Sequence, residues 1–142
     1  MAIELVPLCT ATLTLAEPFV IPDSPVGTRV IIEVEDFVVE GDRLRARQKG
    51  KAGADWLSLN AALLGTIDVR ALLETDDGAL IYTTYTGRLD LSAGPGTSPA
   101  YSAPLYETGD ERYAWINKIQ AVAKGVVSNE GRTLTYEIAE VR

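Results

Sequence analysis

Thr66-Ile67-Asp68-Val69-Arg70-Ala71-Leu72-Leu73-Glu74-Thr75-Asp76-Asp77-Gly78-Ala79-Leu80-Ile81-Tyr82-Thr83-Thr84-Tyr85-Thr86-Gly87-Arg88-Leu89 reads as two strands around a tight turn. Asp76-Asp77-Gly78 supplies the turn, with a glycine where positive φ is needed. A three-residue loop, with Gly78 as the left-handed bulge residue, sets Thr75 opposite Ala79. One face then holds Ile67, Val69, Ala71, Leu73, Ala79, Ile81, Thr83, Tyr85 and Leu89, and the other holds Asp68, Arg70, Leu72, Glu74, Leu80, Tyr82, Thr84, Thr86 and Arg88. A two-residue Asp77-Gly78 loop mixes these sets. Because a one-residue slip carries a whole strand to its other face, the register that sorts them is favoured. The apolar odd face is then expected to be the core.

Working outward, Ile3 to Leu15 alternates Thr10, Thr12 and Thr14 against Ala11, Leu13 and Leu15, as a half-buried strand does. Pro18, Pro22 and Pro25 make the next stretch a loop. Arg29 to Val39 is a strand, Glu40-Gly41-Asp42 a turn, and Arg43 to Gln48 the return. Lys49 to Ala54 links to Asp55-Trp56-Leu57-Ser58-Leu59. Ser92 to Pro99 reads as a mobile loop tip, and Tyr101 to Tyr106 as extended. Thr108 to Arg112 begins one helical turn, capped by Thr108 or Asp110. Trp115 to Gly125 alternates as a strand with Trp115, Asn117 and Ile119 on its apolar face, and Arg132 to Val141 closes the chain.

Strands at regular short spacing without a long helical pattern predict one all-β domain over residues 1–142. It is an antiparallel barrel of about 8–10 strands with one short helical turn, or a sandwich; closure removes the exposed edges, and about eight strands can hold one small ligand.

Composition excludes more than it assigns. A net charge of −7 argues against a phosphate-backbone binder, so no nucleic-acid partner is expected. The chain has no histidine and one cysteine, Cys9, which alternates with Leu5, Ala11 and Leu13 as a core residue. Serine triads, cysteine–histidine dyads and common zinc sites therefore lack their parts. No phosphate loop, EF-hand spacing or dinucleotide fingerprint occurs, so neither metal nor cofactor is expected. Neither a signal peptide nor a bilayer-spanning run is read, which leaves a cytoplasmic protein without a membrane partner as the default. Arg43, Arg45 and Arg47 read as the wet face of a strand.

Three stretches resemble a known family. They are Gly53-Ala54-Asp55-Trp56, then Asp68-Val69-Arg70 with Thr75 to Tyr82, then Glu107 to Asn117. Gly109-Asp110-Glu111-Arg112-Tyr113-Ala114-Trp115-Ile116-Asn117 carries the most specific part, Gly-Asp-x-Arg-Tyr-x-Trp-x-Asn. Together they resemble the domain of unknown function 3237 family. The resemblance implies a small bacterial or fungal protein with a calycin-like β-barrel and supplies no agreed activity.

The chemistry left to this composition is proton transfer by carboxylates with Tyr, Arg or Asn donors in a water-poor cavity. Asp55, beside Trp56, is the first candidate acid or base, against the plainer reading of a loop carboxylate bonded to backbone. Tyr85 and Asn117 are candidates to polarise a substrate. Arg70, with Tyr82, serves if the mixed hairpin face lines a polar lumen, where the arginine would clamp an acidic group. Trp56 and Trp115 are candidate walls. The expected function is a cofactor-independent lyase, isomerase, hydratase or cyclase for a small, partly apolar, carbonyl- or epoxide-bearing metabolite. The alternatives are a non-catalytic binding protein for a small hydrophobic molecule and a homo-oligomer subunit with a filled barrel.

Overall fold

The computed structural model describes residues 1–142. Its strands are β1 Leu5–Leu15, β2 Phe19–Ser24, β3 Gly27–Glu40, β4 Ala46–Gln48, β5 Ala54–Leu59, β6 Leu64–Thr75, β7 Leu80–Asp90, β8 Ala100–Ser102, β9 Leu105–Glu107, β10 Ala121–Ser128 and β11 Thr133–Val141. All pair antiparallel. Followed around the wall, β1–β3–β5–β6–β7–β8–β10–β11 returns to β1, a closed barrel of 8 strands. Two wall positions are shared: β4 continues the line of β5 between β3 and β6, and β9 continues that of β8 beside β7. No helix is long and apolar enough to cross a membrane.

The β6–β7 hairpin takes the sorted register, with Leu73 opposite Ile81 and Glu74 opposite Leu80. Thr75 N–H donates to the Ala79 carbonyl at 2.8 Å, and Gly78 has φ +90°. Ile67, Val69, Ala71, Leu73, Ala79, Ile81, Thr83 and Tyr85 are all buried. The odd face is therefore the inside of the barrel, because that is where the hairpin's apolar area escapes water. Ala11, Leu13, Val39, Leu44 and Tyr136 join it from the other strands.

Three local expectations change. Pro18 to Pro25 contains a strand, β2, paired to β3 alone. Pro22 fits because the register slips between Ile21 and Ser24, and an edge strand loses little from a missing N–H. In β1 a bulge between Pro7 and Cys9 turns both Leu8 and Cys9 inward, so Leu5 is exposed rather than in line with Cys9. The third change concerns Trp115 to Gly125, where a strand starts only at Ala121.

What precedes it, Glu111–Lys118, is a 3-10 helix. Asp110 caps it, accepting from the Arg112 N–H at 3.0 Å. Tyr113, Ile116 and Ile119 recur every third residue, the 3-10 period, and all three pack on the core. The period-two pattern of Trp115, Asn117 and Ile119 overlaps that period, which is why it resembled a strand. The helix plugs the barrel end where the hairpin turn lies. Arg112 donates to the Asp77 carbonyl at 3.0 Å and Tyr113 to the Asp77 carboxylate at 2.9 Å. Asn117 accepts from the Thr108 N–H at 2.8 Å and donates to the Thr108 carbonyl at 2.9 Å. Trp115 lies under the Arg43 guanidinium, 5.1 Å from its ring centre. The Gly-Asp-x-Arg-Tyr-x-Trp-x-Asn stretch is thus a structural clasp between plug and hairpin.

Candidate functional site

β5 begins with Ala54, and its second residue faces the interior: Asp55 pairs with Ile32 on one side and with the buried Val69 on the other. The β5–β6 ladder opens just beyond it. Pairs run Ala54–Arg70 and Asp55–Val69, then resume at Ser58–Thr66. Side chains serve the opened backbone. Asp55 Oδ1 accepts from the Asp68 N–H at 3.1 Å, and Arg29 donates to the Trp56 carbonyl at 2.7 Å.

Burial pushes the Asp55 carboxyl up to about 6, against the pull of the Asp68 N–H and with some help from the Asp68 charge. Asp55 is nonetheless partly exposed although it faces inward, so water reaches it. The backbone bond expected of an ordinary loop aspartate is present, but it is made across two strands, from inside the barrel.

Tyr85 from β7 and Tyr136 from β11 meet edge to face near Asp55, with ring centres 5.6 Å apart and planes at 78°. Tyr136 has small residues on both sides, Ala11 in β1 and Gly125 in β10. A Cβ on Gly125 would stand 2.6 Å from Tyr136 Cε1, so the glycine makes room for the ring. Ser102 of β8 sits between Ala123 and Gly87.

Burial raises the ionisation of both tyrosines above the usual phenol range, and the Asp55 charge adds to it. Both therefore remain O–H donors. The Tyr136 hydroxyl lies close enough to those of Tyr85 and Ser102 for each to affect its ionisation. Yet none of the three hydroxyls reaches a partner with hydrogen-bond geometry, and all three are buried. Other inward hydroxyls are satisfied: Thr83 donates to the Leu105 carbonyl at 3.1 Å, and Thr75 accepts from the Ala79 N–H at 2.8 Å. Buried polar atoms without partners are uncommon and costly, by about 1–3 kcal/mol each. Three such hydroxyls converge beside one inward carboxyl. The fourth such atom, Gln48 Oε1, belongs to an amide that bridges to the Val34 and Gly50 carbonyls beside the β4–β5 junction.

Of the residues singled out from sequence, the interior brings together Asp55 and Tyr85. Arg70 and Trp56 are exposed on the outer wall, and Tyr82 lies half-buried on the same outer face of the hairpin. A lumen lined by the mixed face does not occur, so Arg70 has no place as an internal clamp. Asn117 is exposed and occupied by Thr108, and Trp115 belongs to the plug. Tyr136 and Ser102 were missed. Tyr136 carries the signal that selected Tyr85, a phenol on an apolar strand face between Leu134 and Ile138. Ser102 lies in a strand of 3 residues, too short for alternation to show.

A further concavity lies elsewhere. It is an outer groove of about 990 Å³ between the β1 bulge and the Glu40–Arg43 turn. Its acids and bases, including Lys124 and Glu137, are solvent-facing. Its buried Cys9 is pushed by burial up to about 12 and stays a thiol. Acid–base chemistry near neutral pH is better served by the barrel interior. Nowhere do three or more Cys, Asp or Glu side chains gather in a way that could hold a metal ion.

A family model described as "Protein of unknown function (DUF3237)" matches residues 3–141. Among solved structures, a β-barrel-like protein from Acinetobacter baumannii is 30% identical, covering 100% of this chain and 98% of its own, with TM-score 0.86. A conserved protein of unknown function from Rhodopseudomonas palustris is 21% identical, with 100% and 99% coverage and TM-score 0.88. An enzyme from Penicillium herquei is 23% identical, with 99% and 94% coverage and TM-score 0.72. No curated protein matches the chain.

Proposed function

We propose that this chain, which belongs to the DUF3237 family, is a cofactor-independent acid–base enzyme, a lyase, isomerase, hydratase or cyclase. Its substrate is a small, partly apolar, carbonyl- or epoxide-bearing metabolite bound inside the barrel. The observation that carries the reading is one inward carboxyl, raised by burial to about 6, beside the unpartnered hydroxyls of Tyr85, Tyr136 and Ser102. A carboxyl there exchanges its proton near neutral pH, the condition a general acid or base needs. Asp55 would remove a proton next to the substrate's polarised oxygen and return it at the position that completes the reaction. Tyr85 and Tyr136, held as phenols, would donate to the oxygen on which negative charge develops. A pure carrier has no use for a carboxyl held out of its ordinary range, which is why catalysis is preferred to the binding-protein reading. The barrel is also shared, as a fold, with the Penicillium herquei enzyme.

The test is deuterium exchange. Small cyclic ketones and enones are incubated with the protein in D2O and followed by proton NMR. Exchange next to the carbonyl, lost in Asp55→Asn while the fold persists, is the expected result. A ligand that binds without exchange or turnover on long incubation would oppose the proposal and favour a carrier.

A further inference from the structure

The interior has an unusual charge inventory. The chain carries 13 lysines and arginines, and all but Arg29 are exposed. Arg29 is engaged by the Trp56 carbonyl. The buried carboxylate of Glu140 is paired with Arg43 at 2.9 Å and Arg142 at 3.3 Å. Asp55 therefore stands in the barrel without a cation. A second negative charge placed beside it would lose its water, meet like charge and gain no counter-ion.

The hydroxyls set the complementary requirement. The hydroxyls of Ser102, Tyr85 and Tyr136 stand close to one another, yet none makes a hydrogen bond of good geometry. Their surroundings are small and apolar: Ala11 and Gly125 flank Tyr136, and Ala123 and Gly87 flank Ser102. Resting on the acid–base reading above, we infer that the site takes an uncharged substrate through one carbonyl, phenol or epoxide oxygen seated on these three hydroxyls, and turns away carboxylates and phosphates. Selectivity follows from charge as much as from shape. An amide or ketone satisfies the donors without adding charge, whereas the carboxylate of the same outline satisfies them and adds the charge the interior cannot balance.

Benzamide and benzoate are matched probes, equal in shape and different in charge. Their affinities for the full chain are measured by NMR titration at pH 7.5, with backbone amides reporting the place of binding. Benzamide should shift the amides around Asp68, Ser102 and Tyr136 and bind at least about 10-fold more tightly than benzoate. Tyr136→Phe and Ser102→Ala should each weaken benzamide by about 5- to 20-fold, the loss of one hydrogen bond to a buried acceptor. Asp55→Asn should narrow the preference over benzoate. Equal or tighter benzoate binding overturns the inference, as do undiminished benzamide binding in both hydroxyl variants or the absence of interior binding by either probe. The Asp55 titration judges the acid–base reading separately: a carboxyl near 6 with benzoate preferred rejects only the substrate class, and an ordinary carboxyl with benzamide preferred rejects only the catalytic role.

Discussion

Replacing Asp55 by Asn should make the protein more stable in alkaline solution and leave it unchanged in acid. The carboxyl sits at about 6 in the folded chain, against an ordinary 3.8. A folded value raised above the unfolded one favours folding below the unfolded value and loses that contribution as pH rises through the folded one. Wild type therefore carries a penalty above pH 6 that it does not carry at pH 4. At 1.36 kcal/mol for each pKa unit, the full penalty is roughly 3 kcal/mol. Partial access of water to the side chain lowers the expectation to about 1–3 kcal/mol. Asn keeps an oxygen to accept from the Asp68 N–H, now at 3.1 Å, so the opened ladder remains served. For a domain of this size the gain corresponds to about 3–10 °C in Tm. Thermal melts of both proteins between pH 4 and pH 8 measure it. The difference should be near zero at pH 4 and grow through pH 6. A difference independent of pH, or a variant less stable than wild type at pH 8, would refute the reasoning.

Tyr136→Phe removes a hydroxyl that has no partner, so urea unfolding should show stability unchanged or raised by up to about 1 kcal/mol. A clear loss would mean that the hydroxyl is bonded in the folded protein. Gly125→Ala should cost about 1–3 kcal/mol and alter the near-UV circular dichroism, because the new Cβ meets Tyr136 Cε1 and Cδ1 at 2.6 and 2.7 Å on a strand held from both sides. Asn117→Ala should cost about 1–2 kcal/mol through its two bonds to Thr108, while leaving the Asp55 titration in place.

Those contrasts follow how much of the molecule was legible beforehand. Alternation is a strong signal where one face is buried, and the β6–β7 hairpin shows it over nearly its whole length, so its register and its core face were readable. β2 was hidden because proline suppresses a strand reading and an exposed edge strand has no alternation to counter it: Phe19, Val20 and Ile21 are all exposed. Glu111–Lys118 was hidden for another reason. Its apolar residues satisfy two periods over a short span, and only packing chooses between them.

The site divides along the same line. Tyr85 was found because it lies on a strand whose facing could be inferred, and Asp55 because it stands beside Trp56 in a stretch of the resemblance. Asn117 was drawn in by the misplaced strand, and Arg70 by its neighbours in the resemblance. The most specific motif, Gly109 to Asn117, turned out to close the barrel end. A motif can record an architectural clasp as readily as chemistry. What sequence could not express was the meeting of Asp55, Tyr85, Ser102 and Tyr136, which arise from four strands and converge only when the barrel closes.

The central claim is that burial inside the barrel holds the Asp55 carboxyl, at this meeting point, out of its ordinary range. Carbon-13 NMR of the aspartate side-chain carboxyls, with Asp55→Asn to assign the resonance, measures it directly. The resonance lost in that variant should titrate near pH 6 in the folded protein. Titration near 3.8, as for a solvent-exposed aspartate, would contradict the account.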